Sequence, residues 1–186
     1  MNLPNIITIL RLFLTPLIVW LVLTENYILG FIFFVFSGLS DALDGYLAKK
    51  FNQSSLLGSY LDPIADKVLI VSTILVLGYN GLVPIWLIII IVSRDIAIFG
   101  AVLISFIIGS NLKIKPLTIS KINTFLQIFY IAIIFLIQFD FFLPEEGIRI
   151  FYLLVTYLIA ISTIVSWLFY LQLWLINMKV INSNEE

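Results

Sequence analysis

Residues 40–67 read SDALDGYLAKKFNQSSLLGSYLDPIADK. The stretch carries four aspartates, Asp41, Asp44, Asp62 and Asp66, at the junction of two apolar runs. On a helix that turns roughly 100° per residue, Asp41, Asp44, Gly45 and Ala48 fall within about a third of the circumference. Asp62 and Asp66 are spaced i, i+4 and share one face of the following helix. The short connection makes the two helices neighbours, so the four carboxylates are expected to converge between helix ends. Such convergence is unfavourable without cations. The bases in this stretch are Lys49, Lys50 and Lys67, and helical spacing turns Lys67 off the Asp62–Asp66 face. Hard oxygen ligands suit Mg2+ or Mn2+, and two ions are expected for four carboxylates. A solvated loop with ordinary surface charge is the plainer reading. It accounts poorly for carboxylates in apolar helices, which are costly and usually functional. A helix start needs one capping aspartate, not four.

Working outward, the chain has 186 residues, of which 62% are hydrophobic and 11% charged. A soluble domain of that size could not hide so much apolar surface in one core. Six apolar stretches stand out, roughly Ile6–Leu23, Ile28–Leu47, Leu61–Tyr79, Val83–Ile108, Leu117–Phe139 and Ile148–Met178. Each is near or above the about 20 residues that a helical span requires. Turn and polar signals separate them: TEN, KKFNQSS, YNG, GSNLKIK and DFFLPEEG. No strict period-two alternation of a membrane barrel is present. The expected fold is an all-α integral membrane protein, one domain over residues 1–186, with six transmembrane helices.

Basic residues set the orientation. Lys49, Lys50, Lys113, Lys115, Lys121 and Lys179 fall on one side if every stretch crosses once, with Arg149 as the only base between stretches on the other. Both termini and the aspartates are then cytoplasmic. The opening MNLPNIITILRLF lacks a basic start and a small-residue cleavage site, and it holds Arg11 inside the apolar run. It reads as a retained first span, and a bacterial cell (inner) membrane is the expected location. The chain has no cysteine and no histidine. That excludes disulfides, thiolate metal sites and catalysis by Ser-His or Cys-His pairs. No basic tract points to nucleic acid.

The spacing of the opening stretch resembles the signature of the CDP-alcohol phosphatidyltransferases, D-x2-D-G-x2-A-R-x8-G-x3-D-x3-D. Every fixed position matches except one: Lys49 stands where the family has arginine. The charge is kept and the bidentate fork is lost. NLPNIITILRLFLTP and DPIADK are similar to the corresponding segments of the phosphatidylglycerophosphate synthase and cardiolipin synthase branches. The resemblance implies six helices around an interfacial cavity open to the cytoplasm, in a homodimer. It implies transfer of a phosphatidyl group from CDP-diacylglycerol to an alcohol, with release of CMP. It further implies that Asp41, Asp44 and Asp62 hold two metals, with Asp66 completing the cluster and acting as general base. Asp41, Gly45, Ala48, Lys49 and Gly58 would border CDP-diacylglycerol.

The acceptor depends on residues farther along. SRDIAIFGAV puts Arg94 and Asp95 well inside an apolar run. They form either a buried ion pair or a site where Arg94 binds an acceptor phosphate. KIKPLTISKINTFLQ adds Lys121, which either marks orientation or binds the acceptor. Glycerol-3-phosphate enzymes of the family commonly show R-E-x6-R and G-K-x-K-T-x2-Q at these places. Here Val102 and Asn123 stand where two of those cations would be, with Asp95 for the glutamate and Ser120 for the glycine. The words SRD and KP-x2-ISK-x-NT-x2-Q are similar to eukaryotic-type cardiolipin synthases. Phosphatidylglycerol is therefore the expected acceptor, with glycerol 3-phosphate as the alternative. An ion-coupled transporter is the more distant alternative, since its site would sit near the midplane between repeats.

Overall fold

The computed structural model describes residues 3–51, 56–107, 118–139 and 145–182, with side chains described for 7–40, 62–101, 118–139, 147 and 149–176. Six helices follow one another: α1 Leu3–Leu23, α2 Tyr27–Phe51, α3 Leu56–Tyr79, α4 Ile85–Ile107, α5 Thr118–Ile137 and α6 Glu145–Asn182. No strand occurs among the described residues. Their order matches the six apolar stretches, but several ends differ. α2 runs on to Phe51 and α3 begins at Leu56, ahead of the apolar run. Backbone hydrogen bonding does not stop where side chains turn polar, so Asp62 and Pro63 lie inside α3 rather than at its start. Proline gives up one helical N–H there, as Pro16 does in α1.

Two helix ends close in the same way. Asn26 N–H bonds the Leu21 carbonyl and Glu25 N–H bonds Val22, with Glu25 at φ 58°. Leu82 N–H bonds Leu77 and Gly81 N–H bonds Gly78, with Gly81 at φ 77°. Both are Schellman closures, in which a left-handed residue lets the chain leave the helix with its carbonyls satisfied. Glycine adopts that conformation freely. Asn80 then donates to the Val22 carbonyl at 2.7 Å, tying the end of α3 to the end of α1.

Contacts divide the chain into two compact units. The first holds residues 1–84 and 131–144. Within it α1 packs on both α2 and α3, through buried Ile18, Leu21 and Val22 of α1 and Leu69, Ile70, Ile74 and Leu77 of α3. Gly30 of α2 lies where a Cβ would meet Phe135 at 3.2 Å and Val22 at 3.3 Å, so only glycine fits without displacement. Phe31 and Phe34 each meet the Phe135 ring in a tilted arrangement, with centroids 5.9 Å apart. The second unit holds residues 85–130 and 145–186, with α4 against α6. Its core combines Leu87, Ile91 and Ile159 with a polar seam. Tyr130 and Thr156 share a hydrogen bond of 3.1 Å within that seam.

Thr118–Ile137 and Arg149–Ile176 are long and apolar enough to cross a membrane. Apolar segments of α1 and α2, Ile7–Leu23 and Tyr27–Ser40, are shorter over the described residues.

Candidate functional site: a carboxylate ladder on α3

Asp62 and Asp66 lie one turn apart on α3, and α1 meets them with a matching pair. Thr8 and Arg11 are spaced i, i+3, so they too share a helix face. Thr8 Oγ1 donates to Asp62 Oδ1 at 2.6 Å. Arg11 donates from Nη1 to Asp66 Oδ1 as an ion pair. Thr8 and Arg11 are 0% and 1% exposed, whereas the Asp66 side chain is 39% exposed. The ladder therefore has a closed side on α1 and an accessible side at the carboxylates. Arg11 is further fixed from behind, because Thr15 Oγ1 donates to its carbonyl at 3.0 Å.

This arrangement orients both α3 carboxylates. An arginine bond to a carboxylate is charge-assisted and stronger than a neutral one. A buried arginine also cannot turn away into water, so Asp66 is held at a fixed position. The donor set is hard oxygen, which fits Mg2+ or Mn2+ and no softer metal. Among the described residues, no group of three or more ligating side chains comes together. The other two aspartates of the cluster, Asp41 and Asp44, lie in α2, as do Gly45, Ala48 and Lys49. Gly58 lies in α3. The side chains of these six residues fall outside the described set, as do Lys113, Lys115 and the Val102 side chain. The convergence expected between α2 and α3 therefore falls on side chains outside the described residues, and what is described is the pairing of α3 with α1.

The second unit contains the two candidate acceptor residues, which differ sharply. Arg94 is 1% exposed. Its Nη1 donates to Asp95 at 2.6 Å, and its Nη2 donates to Ser120 at 2.6 Å and Ser166 at 2.7 Å. Its guanidinium also lies 5.8 Å from the centre of the Tyr170 ring, a cation–π contact. One arginine thereby cross-links α4, α5 and α6. Lys121, by contrast, is exposed. An anion can reach Lys121 directly, whereas reaching Arg94 requires one of its partners to move. Asn123 is 1% exposed and accepts from Ser162 at 2.8 Å and Thr163 at 3.0 Å.

Thr8 and Arg11 are the residues that sequence reasoning passed over. Arg11 stood out only as a charge inside an apolar run. The available signal was its spacing: i, i+3 on α1 matches i, i+4 on α3, but their pairing needs the packed helices to be seen.

A family model described as CDP-alcohol phosphatidyltransferase matches residues 1–178, running through both units. The chain is 35% identical over 144 residues to a protein of Drosophila melanogaster named probable cardiolipin synthase (CMP-forming), covering 69% of this chain and 45% of that one. It is 35% identical over 183 residues to the chloroplastic CDP-diacylglycerol–glycerol-3-phosphate 3-phosphatidyltransferase 1 of Oryza sativa, covering 89% and 55%. It is 31% identical over 150 residues to the CDP-diacylglycerol–glycerol-3-phosphate 3-phosphatidyltransferase of Bacillus subtilis, covering 73% and 77%. The chain spans about half the length of the first two.

Proposed function

The chain belongs to the CDP-alcohol phosphatidyltransferase family, and on that premise we propose that it transfers the phosphatidyl group of CDP-diacylglycerol to an alcohol and releases CMP. The observation that carries this reading is the α3 pair, Asp62 and Asp66, held from α1 by Thr8 and Arg11. In the reaction, the acceptor hydroxyl attacks the phosphorus that bears diacylglycerol. A new P–O bond forms, the P–O bond to CMP breaks, and the hydroxyl proton passes to Asp66. Asp41, Asp44, Asp62 and Asp66 would hold Mg2+ or Mn2+, two ions in all, which would supply positive charge for the donor pyrophosphate. Asp41, Gly45, Ala48, Lys49 and Gly58 border the donor nucleotide. The small side chains at Gly45 and Ala48 leave room for it beside α2.

Family members are membrane-associated, and the surface of this chain agrees with such a solvent. Ile122, Phe125 and Phe129 of α5 and Leu154, Ile161 and Leu168 of α6 are all exposed. A soluble core helix is mostly buried, but only 28% of the apolar window of α6 is. We propose one membrane domain with six spans, as a homodimer, with both termini and the aspartates on the cytoplasmic side of a bacterial membrane. That placement lets the nucleotide stay in water while acyl chains remain in lipid.

Phosphatidylglycerol is the proposed acceptor and glycerol 3-phosphate the second reading. Lys121 is the accessible cation among the two acceptor residues, while Arg94 is enclosed by its own partners. A phosphomonoester dianion would be desolvated without matching charge, which costs several kcal/mol in a low-dielectric site. A phosphodiester carries one negative charge and needs less. In a competition assay with both acceptors near saturation, cardiolipin is the expected main product. Phosphatidylglycerophosphate as the main product would reverse the assignment.

The α1 ladder gives its own expected result. Arg11→Met removes a hydrogen bond to a charged group, worth about 1.5–3 kcal/mol. Turnover should fall roughly ten- to hundredfold on the scale of 1.4 kcal/mol per decade, with a smaller change in KM for CDP-diacylglycerol. Arg11→Lys should recover part of the loss because the charge remains. Steady-state kinetics on the folded variants checks this, and equal losses in both would reduce Arg11 to packing.

A further inference from the structure

Arg94 is buried, and the way its partners are arranged decides what else it can bind. A guanidinium carries five N–H groups in a flat, fixed fork. It holds a phosphate best along one edge of that fork, through two parallel N–H···O bonds. The edges that allow this are Nε with Nη2 and Nη1 with Nη2, so each needs one hydrogen of Nη2. Both of those hydrogens are taken. Nη2 donates to Ser120 Oγ at 2.6 Å and to Ser166 Oγ at 2.7 Å. Nη1 donates to Asp95, while Nε has no partner among the described residues. Neither edge can receive an anion while the two hydroxyls stay in place.

The two serines stand in different surroundings. Ser166 is fully buried on α6, so the hydrogen it takes faces the interior. Ser120 is half-buried in the first turn of α5, and the next residue, Lys121, is exposed. We propose that Ser120 is a specificity-determining residue: its hydroxyl closes the more accessible edge of Arg94 to phosphate, so that of these two cations only Lys121 meets the acceptor's phosphate. The closure is a binding property of this pocket, and its consequence for the acceptor rests on the transfer reading above. A phosphodiester carries one negative charge, which one lysine can balance. A phosphomonoester dianion calls for a second cation in contact, because attraction grows with charge. Withholding Arg94 therefore works against the dianion more than against the diester.

Binding of radiolabelled inorganic phosphate to the full chain in phosphatidylcholine nanodiscs, freed of metal, would test the closure without any transfer. Ser120→Ala should bind phosphate about 10- to 100-fold more tightly than wild type, the range that one hydrogen bond to a charged group supports. Ser120→Thr keeps a hydroxyl and should stay near wild type. Ser166→Ala removes one Arg94 bond as well, but on the enclosed side, and should gain nothing. Adding Arg94→Lys to Ser120→Ala destroys the fork and should cancel the gain. Ser120→Gly removes the same hydroxyl and gives the same reading where the alanine chain is unstable. No gain in folded Ser120→Ala or Ser120→Gly, or an equal gain in Ser166→Ala, would overturn the closure. In the acceptor competition, Ser120→Ala should shift the products toward phosphatidylglycerophosphate severalfold, mainly through a lower KM for glycerol 3-phosphate. Tighter phosphate binding with an unchanged product ratio would overturn the role in specificity. Tighter phosphate binding in a chain that releases no CMP would support the closure and contradict the transfer reading instead.

Discussion

Asp66→Asn should lower the rate of phosphatidyl transfer by about 100- to 10,000-fold, the usual contribution of a general base, while CDP-diacylglycerol binding stays close to wild type. The expectation rests on position. Asp66 is on the same α3 face as Asp62, one turn farther along, and its side chain is 39% exposed. It can therefore meet a substrate hydroxyl while Arg11 holds its other side. Asparagine is the informative replacement because its amide oxygen still accepts from Arg11, whereas alanine would leave a buried guanidinium facing a void. Breaking a buried pair outright typically costs about 3–5 kcal/mol, enough to confuse loss of chemistry with loss of fold. Thermal stability should accordingly be measured beside turnover. A stable Asp66→Asn protein with a near-wild-type rate would remove Asp66 from the role of base.

The second large effect is metal dependence. Exhaustive chelation should abolish activity, and Mg2+ or Mn2+ should restore it. The expectation rests on the proposed cluster of Asp41, Asp44, Asp62 and Asp66, whose oxygen donors would select hard divalent ions. Asp41→Asn, Asp44→Asn and Asp62→Asn should each weaken Mn2+ binding by at least about tenfold, since even outer partners of metal ligands are worth that much. Calorimetric titration measures binding apart from turnover. Thr8→Val offers a graded control. It removes one hydrogen bond to the Asp62 carboxylate, worth about 1.5–3 kcal/mol, but leaves the carboxylate in place, and should weaken binding by less than Asp62→Asn does. Full activity after chelation would contradict the metal reading entirely.

Much of this was legible in the sequence because the signals were local. Six apolar stretches gave six helices in order, and spacing put Asp62 and Asp66 on one face before any packing was known. Helix ends were less legible. Hydropathy marks where side chains turn polar, yet α3 continues through Ser59, Asp62 and Pro63 because its backbone ladder does. Tertiary partners were not legible. The buried Arg94–Asp95 ion pair was one of the two readings open in the sequence, but the further partners of Arg94 were not. The long arginine side chain reaches Asp95, Ser120 and Ser166 together. Thr8 and Arg11 gained meaning only when α1 was seen against α3. Seven fixed signature positions out of eight identified the family, and the conservative change at Lys49 did not obscure it.

The acceptor is the part of the account with the least local signal. It turns on charges that are absent at Val102 and Asn123, and on how enclosed Arg94 stays when substrate arrives. The relatives are named for both reactions. The product ratio in competition, rather than the rate with either acceptor alone, is what separates them.

The most direct test of the central claim is CMP release by the purified full chain. It would be incubated with Mg2+ and CDP-diacylglycerol radiolabelled in the phosphatidyl group, with phosphatidylglycerol or glycerol 3-phosphate as acceptor. The account predicts CMP and a new radiolabelled phospholipid in equal amounts, both dependent on acceptor and both lost in Asp66→Asn. Folded, metal-loaded protein that releases no CMP with either acceptor, or releases it without forming a labelled phospholipid, would contradict phosphatidyl transfer.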